Sequence, residues 1–150
     1  MKIALASDHA GYDLKKGIAA HLTKINISYK DLGCHSIERV DYVDFAEKAA
    51  MGFIEGEYDR CILVCGTGLG MAMTANKFKG IRATPVMDEY MAEMSRKHND
   101  SNCLTLGGRI LPLDEALRIV DVWLETVFES GRHQARLEKI IAIEERNFKS

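Results

Sequence analysis

Short apolar segments alternate with segments of helical periodicity along almost the whole chain. The clearest is Cys-Ile-Leu-Val-Cys at 61–65, which is too short for a buried helix and is typical of a strand covered on both faces. Similar segments lie at 3–6, 27–32, 81–84 and 102–106, separated by apolar residues at helical spacing. Because parallel strands need crossover connections, this alternation predicts an α/β fold: a three-layer α/β/α sandwich with a doubly wound, Rossmann-like sheet of five parallel strands.

The composition fits one domain over residues 1–150, with a charged helix at about 131–148 as its last element. A chain of 150 residues, 47% hydrophobic and 28% charged, can bury a core without disulfides or metal ions. The net charge of −2 offers no general attraction for nucleic acid or an acidic membrane. Polar residues follow the first strand at once, so we expect no signal peptide, no membrane span and a cytoplasmic protein with reduced cysteines.

Two strand ends carry residues suited to a binding site. Asp8 and His9 follow the first strand, and the sequence Cys-Gly-Thr-Gly-Leu-Gly at 65–70 follows the third. In a doubly wound sheet, ligands bind beyond the carboxyl ends of the strands, where the strand order reverses. We therefore expect these two segments to form one site.

The glycine-rich segment predicts a site for a small anion. Glycines at alternate positions let backbone N–H groups converge at the start of the next helix. Met71 stands where a dinucleotide-binding loop needs Gly and a cysteine-phosphatase loop needs Arg, and no Gly-Lys-Ser/Thr follows, which argues against those classes. The alternative is a tight turn in which the glycines only serve helix packing and Thr67 caps the helix.

Cys65 is the candidate base of this segment. A cysteine at the end of a buried strand is usually an inert core residue, and we expect Cys61 to be one. Beside Cys65, however, loop amides and a helix N-terminus would stabilise a thiolate. Such a thiolate is suited to removing a proton next to a carbonyl, with the amides binding the enediolate that forms.

Two polar clusters lie later in the chain. His-Asn-Asp at 98–100 closes a predicted helix, either as a functional group or only as a helix end with Asn99 as the cap. Arg132 and Arg136 are four residues apart on one helical face, where like charges repel unless an anion lies between them. Arg109 would add a third guanidinium. The alternative for the arginines is a solvated basic face.

Topology places these clusters at the opposite edge of the sheet from Cys65. A crossover helix runs antiparallel to its strands, so the helix that ends at His98 and the helix that precedes Arg132 both end near the amino ends of the strands. A five-residue strand separates the two edges by about 16 Å. We therefore expect a second subunit, related by a two-fold axis, to bring these groups to Cys65.

Several motifs together resemble the ribose-5-phosphate isomerase B family. They are Ser-Asp-His-Ala-Gly at 7–11, Val-Asp-Tyr at 40–42, Cys-Gly-Thr-Gly-Leu-Gly-Met at 65–71, Asn-Lys at 76–77, Gly-Ile-Arg-Ala at 80–83, His-Asn-Asp at 98–100 and Gly-Arg-His at 131–133. The resemblance implies an aldose–ketose isomerase of the pentose phosphate pathway, free of metal and cofactor, that interconverts ribose 5-phosphate and ribulose 5-phosphate through a cis-enediolate. It also implies a homodimer with composite active sites and leaves open whether dimers pair into tetramers.

The resemblance assigns roles to individual positions. Cys65 resembles the base that moves the proton between C2 and C1, His98 the group that opens the furanose, and Thr67 a group that moves the proton between the two oxygens. Hydroxyl-binding residues are matched by Asp8, Tyr42 and Asn99. The anion-binding loop is matched by Gly66, Thr67, Gly68, Leu69 and Gly70. Contacts to phosphate and sugar are matched by His9, Arg109, Arg132 and Arg136.

The chain departs from the family pattern at two places. Val43 stands where Pro is frequent, and Pro-Val-Met-Asp at 85–88 replaces a stretch where Cys-His-Asp is common. We expect both to touch the substrate end of the pocket, which leaves a six-carbon substrate such as allose 6-phosphate open.

Cys65 and His98 argue against the galactose-6-phosphate isomerase subunits, which look different at the catalytic positions. A non-catalytic sugar-phosphate sensor is the alternative from another class, while a receiver-type phosphorylation module would need Asp in place of Cys65.

Overall fold

The computed structural model describes residues 1–148, and its five strands form one parallel sheet. The strands are β1 (Lys2–Ser7), β2 (Ser28–Asp31), β3 (Arg60–Cys65), β4 (Ala83–Pro85) and β5 (Cys103–Gly107). The helices are α1 (Tyr12–Lys24), α2 (Tyr42–Ile54), α3 (Leu69–Ala75), α4 (Glu89–Asn99), α5 (Leu113–Glu125) and α6 (Arg132–Asn147). The strand order is β2-β1-β3-β5-β4, and every neighbouring pair is parallel.

Helices cover both faces of the sheet. On one face, α1 and α5 pack their apolar stripes against β1, β3 and β5, with Ile18, Val120 and Trp123 fully buried. On the other face, α2 and α3 present small residues such as Ala49 and Ala72, which let these helices lie close to the strands. The predicted three-layer, doubly wound α/β fold is confirmed. Within residues 1–148, none of the helices is long and apolar enough to cross a membrane.

The last turn predicted for α5 does not form. Apolar periodicity predicts a helix to Phe128, but α5 ends at Glu125, and Thr126 has extended backbone with φ −73° and ψ 130°. The Thr126 carbonyl accepts a hydrogen bond from Nε of buried Arg96 at 3.3 Å, while its hydroxyl donates to the Val122 carbonyl at 2.6 Å. This long-range contact with Arg96 satisfies the carbonyl outside the helix, which local periodicity does not reveal.

The strand order reverses between β1 and β3, at the centre of the sheet. Ser7 at the end of β1 lies beside Val64 near the end of β3, so the segments that follow the two strands leave the sheet together. From there α1 leads to β2 on one side, and α3 leads towards β4 on the other side. The crevice expected in doubly wound sheets therefore opens between these two segments.

A fully buried lysine holds the loop beside this crevice. Lys15 of α1 donates from Nζ to Asp31 Oδ1 at 2.6 Å and to the Cys34 carbonyl at 2.5 Å. The same loop exchanges two 2.7 Å backbone hydrogen bonds with Ser7, through the Gly33 carbonyl and the Cys34 N–H. Burial of an ammonium group is unfavourable unless it is paired, so Lys15 is stable only with this loop in place. The ion pair thus supports the end of β1.

Main chain packs directly on main chain where the strand-end loops meet. A Cβ atom added at Gly11 would lie 2.4 Å from the Val64 carbonyl oxygen, and one at Gly108 would lie 2.6 Å from the Ala10 carbonyl oxygen. These contacts leave no space for a side chain. They hold the loops after β1, β3 and β5 against one another.

Gly11→Ala is expected to lower the free energy of unfolding by about 1–3 kcal/mol, the usual cost of overpacking. The backbone must shift to relieve the contact with Val64, and this shift also disturbs the 3.0 Å hydrogen bond from the Gly11 N–H to Asp8 Oδ1. Urea denaturation followed by circular dichroism measures the loss.

Gly17→Ala is the matched control. Its new Cβ would meet only the side chain of Leu113, at 2.4 Å from Cδ1, and that side chain is 47% exposed and free to move. The higher helix propensity of Ala also offsets the contact. Equal losses of stability in the two variants would contradict the role assigned to the Gly11 contact.

Candidate active site

A cavity of about 690 Å³ opens where the segments after β1 and β3 leave the sheet. It is lined by Asp8, His9, Ala10, Arg39, Tyr42, Cys65, Gly66, Thr67, Gly70, Met73 and Arg109. Its size is that of a small-molecule site. The lining combines two guanidinium groups and an imidazole with a carboxylate, a phenol and a thiol, a set suited to a small anion that carries hydroxyl groups.

Cys65 lies at the end of β3 and receives a hydrogen bond from the loop that follows. The Gly68 N–H donates to Sγ at 3.1 Å, which stabilises negative charge on the sulfur. Gly68 has a left-handed φ of 79°, and a Cβ atom there would lie 3.1 Å from the backbone of Leu106. Because only glycine fits both conditions, Gly68 is the residue that directs this N–H at Cys65.

The other residues of the loop divide between the cavity and local structure. Gly66, Thr67 and Gly70 line the cavity, whereas the N–H of Leu69 donates to Thr67 Oγ1 at 3.3 Å. Gly68, not Thr67, is the residue that precedes the helix, so the alternative of Thr67 as its cap is wrong. Since α3 has only seven residues, the individual loop amides rather than a helix dipole supply the positive potential.

Two of the loop glycines make room for neighbouring functional side chains. A Cβ atom at Gly70 would lie 2.7 Å from the ring of Tyr42, and one at Gly66 would lie 3.2 Å from Nη1 of Arg109. Tyr42 is the first residue of α2, whose cap Asp41 accepts a hydrogen bond from the Val43 N–H at 3.1 Å. These glycines therefore serve the placement of side chains at the cavity.

Asp8 and His9 are held by backbone contacts. Oδ1 of the buried Asp8 accepts the hydrogen bond from the Gly11 N–H at 3.0 Å. His9 Nδ1 lies 3.2 Å from both the backbone nitrogen and the carbonyl oxygen of Val40. These contacts orient both side chains at the crevice before any ligand binds.

Two further arginines lie at the Cys65 cavity. Arg109 follows β5 at the carboxyl edge of the sheet and lines this cavity, whereas Arg136 lines the separate one, so that Arg109 and Arg136 do not meet within one chain. That Arg109, Arg132 and Arg136 bind one phosphate stays a prediction. Arg39, which also lines the cavity, was missed. It lies in an aperiodic loop, and its position just before the Val-Asp-Tyr motif at 40–42 is the signal that could have marked it.

The later polar cluster lies at the opposite edge of the sheet. His98, Asn99, His133, Arg136, Leu137 and Ile140 line a separate cavity of about 150 Å³. Helix α4 ends at Asn99, shortly before β5 begins at Cys103, and Cys103 is paired with Cys61 at the start of β3. Cys65 is paired with Gly107 at the other end. Within one chain, the structure therefore keeps this cluster apart from Cys65, as the topology requires.

The end of α4 is not capped by Asn99. The cap is Asp100, a non-glycine residue with a left-handed φ of 46°. Its carboxylate accepts hydrogen bonds from Arg96 at 2.8 Å and from Arg82 at 3.1 Å, and these contacts hold the strained turn. Asn99 is the last helical residue and is exposed at the second cavity, where it is free to bind a ligand.

His133 is a further residue that sequence reasoning did not single out. Its ring stacks on that of His98, with centroids 4.0 Å apart and an interplanar angle of 13°. Burial lowers the pKa of His133, and the neighbouring His98, Arg132 and Arg136 lower it further against the opposing effect of Glu129. The net effect favours the neutral form of this imidazole. The Gly-Arg-His motif at 131–133 is the signal that could have marked it.

The two departures from the family pattern lie outside the lining of the Cys65 cavity in this chain. Val43 is on the exposed side of the first turn of α2. Residues 85–88 begin with the last residue of β4, an edge strand that β5 separates from β3. The expectation that both touch the substrate end of the pocket stays a prediction for the complete site.

A doubly wound parallel sheet with a thiol, a glycine-rich loop and cationic side chains at its switch point defines an α/β protein with a binding site for a small organic anion. The sequence profile of the ribose/galactose isomerase family matches residues 3–140, and the chain belongs to this family. The resemblance inferred from the motifs is confirmed.

Relatives match the chain over almost its whole length. It is 48% identical over 145 residues to ribose-5-phosphate isomerase B of Escherichia coli (strain K12), covering 97% of each chain. It is 42% identical over 147 residues to ribose-5-P isomerase B of Listeria innocua, covering 98% of this chain and 99% of the relative.

Solved structures of relatives share the fold throughout. Ribose-5-phosphate isomerase B of Clostridium thermocellum superposes with a TM-score of 0.95 at 51% identity, covering 97% of this chain and 99% of that chain. Ribose-5-phosphate isomerase B of Mycoplasma genitalium, with bound ribulose-5-phosphate, superposes with a TM-score of 0.92 at 41% identity, covering 97% of each chain.

Cys65 is expected to be alkylated by iodoacetamide faster than the other three cysteines at pH 7, and inorganic phosphate is expected to slow its reaction. All four cysteines are buried, but Cys65 lines the cavity and accepts the Gly68 N–H, whereas the other three lie outside that lining. The hydrogen bond with Cys61 and burial raise the pKa of Cys103 well above its ordinary value. Mass spectrometry of tryptic peptides measures the four rates, and equal rates would contradict the prediction.

Proposed function

We propose that this chain is an aldose–ketose isomerase that interconverts ribose 5-phosphate and ribulose 5-phosphate, with Cys65 as its base. The observation that carries the proposal is the cavity-lining thiol that accepts the Gly68 N–H at 3.1 Å, in a chain of the ribose/galactose isomerase family. The relative from Mycoplasma genitalium with bound ribulose-5-phosphate supports this pair of sugars. The same chemistry places the enzyme in the pentose phosphate pathway.

The reaction moves one proton between carbons and one between oxygens. After the furanose has opened, the Cys65 thiolate removes the proton from C2. The C2–H electrons form the C1–C2 double bond of a cis-enediolate, and the π electrons of the C1 carbonyl move to its oxygen. Thr67 moves the proton of the C2 hydroxyl to the oxygen on C1. The electrons left on the C2 oxygen then form the ketose carbonyl, and the electrons of the C1–C2 double bond take the proton back from the Cys65 thiol to C1. The enediolate oxygen meets the loop amides, and each such donor contributes about 3 kcal/mol to the transition state.

The remaining side chains bind the substrate. Asp8, Tyr42 and Asn99 bind its hydroxyl groups, through a carboxylate that accepts hydrogen bonds, a phenol that donates and an amide that does both. The phosphate dianion is bound by His9, Arg109, Arg132 and Arg136, where guanidinium groups offer paired N–H donors. We add Arg39 to this set, because it lines the same cavity as His9 and Arg109.

The complete site takes residues from two subunits. Cys65 and Arg109 line one cavity, while His98 and Arg136 line another at the opposite edge of the sheet. A two-fold homodimer brings the His98 cluster of one subunit to the Cys65 cavity of the other, where His98 opens the furanose. Residues 1–150 act as one domain in this proposal, and α6 contributes to the dimer. Residues 149 and 150 lie outside the described part of the chain.

We place the enzyme in the cytoplasm, with no nucleic acid partner. All four cysteines are free and buried, which suits a reducing compartment. The net charge of −2 suits an enzyme whose anionic substrate is bound by a local set of cations.

The purified protein is expected to form ketose from ribose 5-phosphate in the presence of EDTA, because the base, the amides and the arginines all belong to the chain. The kcat of Cys65→Ala is expected to be at least ~100-fold lower, which is the lower end of the range for loss of a general base. Cys61→Ala is the matched control, since Cys61 contacts the Ala49 carbonyl at 3.7 Å and lies outside the cavity lining.

Several outcomes would overturn the proposal. Near-normal turnover by Cys65→Ala would show that Cys65 is not the base. Activity that is abolished by EDTA and restored by a divalent ion would show that the reaction needs a metal ion. Faster turnover of allose 6-phosphate than of ribose 5-phosphate would show that the substrate is a six-carbon sugar phosphate. Binding of both sugar phosphates without turnover of either would show that the protein is a non-catalytic sensor.

Mixed dimers test the composite site. Cys65→Ala and His98→Asn homodimers are each expected to be nearly inactive on the ring-closed substrate. After random subunit exchange, half of the dimers are mixed and each mixed dimer regains one intact site, so activity is expected to approach about a quarter of the wild-type value. Exchange verified by mass spectrometry without recovery of activity would place both residues in one site of one chain.

A further inference from the structure

Three potential metal ligands meet beside the second cavity. One ligand atom each of His98, Glu129 and His133 can be chosen so that all three lie within 4.8 Å of one another. Two imidazoles and a carboxylate are a ligand set that holds zinc with one coordination position open. We propose that these residues form an inhibitory site, at which Zn²⁺ binds reversibly and removes His98 from the reaction. The inference rests on the proposed role of His98 in ring opening.

The backbone brings the three ligands together. The Glu129 N–H donates to the Lys97 carbonyl at 3.1 Å, which ties Glu129 to the last turn of α4 next to His98. Ser130 and Gly131 then both have positive φ, 58° and 54°, and turn the chain into α6. As a result, His133 Nε2 lies 3.6 Å from Glu129 Oε2. A left-handed φ at a serine is unfavourable, and such strain concentrates at functional sites.

The two imidazoles differ in how firmly they are held. His133 is buried, and its Nε2 accepts a hydrogen bond from Arg132 Nε at 3.4 Å, which a metal ion at that atom would replace. His98 is only partly buried, and within residues 1–148 no hydrogen bond holds its ring. The two rings are stacked at an interplanar angle of 13°, so their nitrogen lone pairs lie in nearly parallel planes and do not converge on one point. Zinc binding therefore requires the His98 ring to turn out of the stack towards Glu129.

This movement explains why the metal would inhibit. A His98 nitrogen bound to Zn²⁺ has no free lone pair and cannot exchange a proton with the furanose oxygen. Arg132 Nε lies 3.4 Å from His133 Nε2, and Arg136 lines the same cavity, so substrate phosphate and metal compete for one small space. We therefore expect inhibition that is competitive with ribose 5-phosphate.

Nearby positive charges limit the affinity. Lys97 Nζ lies 4.0 Å from Glu129 Oε1, and the two arginines add further repulsion of a cation. The expected dissociation constant is therefore in the micromolar range, ~1–100 μM, rather than the nanomolar range of structural zinc sites. A site of this strength loads and unloads without denaturing the protein.

The kinetic test is a titration of the EDTA-treated and desalted wild-type enzyme with ZnSO₄. Activity is expected to fall over the micromolar range and to return when EDTA is added. Glu129→Gln is expected to keep the basal kcat and to raise the half-inhibitory zinc concentration at least ~10-fold, because it removes a ligand and loss of even an outer-shell partner costs about that much affinity. Glu125→Gln is the matched control, since Glu125 is an exposed carboxylate four residues earlier, at the end of α5.

Cys65 is the competing zinc ligand, because thiolates bind zinc well. Co²⁺ in place of Zn²⁺ separates the two sites by its visible absorption. Cys65→Ala is expected to retain the cobalt bands, and Glu129→Gln and His98→Asn to lose them. A sulfur-to-cobalt charge-transfer band that disappears in Cys65→Ala, or unchanged zinc inhibition in Glu129→Gln, would overturn the proposal. Cobalt absorption is measured without substrate, so absence of metal binding can be distinguished from absence of isomerase activity.

Discussion

The pairing of β1 with β3 at the centre of the sheet is the contact on which the rest of the site depends. Its register sets Ser7 beside Val64. The residues that follow them, Asp8 and Cys65, therefore lie next to each other at the carboxyl edge of the sheet. The two chains then diverge to opposite sides of the sheet and leave a crevice between them. A shift of this register by one residue would turn Cys65 to the other face of the sheet and remove it from the loop amides.

Much of the fold could be predicted from the sequence because its signals are local. The run at 61–65 is short, apolar and followed by glycines, and β3 contains this run and ends with it at Cys65. Alternation of strand and helix then limits the topology, since parallel crossovers are nearly always right-handed. The separation of His98 from Cys65 follows from this alternation alone, because a crossover helix returns to the edge at which its strands begin.

The features that sequence reasoning missed depend on contacts between distant segments. Lys15 sits on the apolar stripe of α1, and no local pattern shows that Asp31 and the Cys34 carbonyl will pair with it. Helix α5 stops early because Arg96 binds the Thr126 carbonyl from another element. Arg39 lies in a loop without periodicity, so its place in the cavity depends on how the loop is held beside β1. Such partners become visible only once the chain is folded.

The floor of the candidate site consists of main chain rather than side chains. Gly11 and Gly108 press against the carbonyls of Val64 and Ala10, and Gly68 lies against the backbone of Leu106. Substitutions in such a surface do not have graded effects, because a new side chain either fits into a gap of about one atom or displaces a whole loop. Divergence towards new sugars within such a family must therefore act at the rim, through long side chains such as Arg39 and Met73, while the position of the thiol and its amide stays the same.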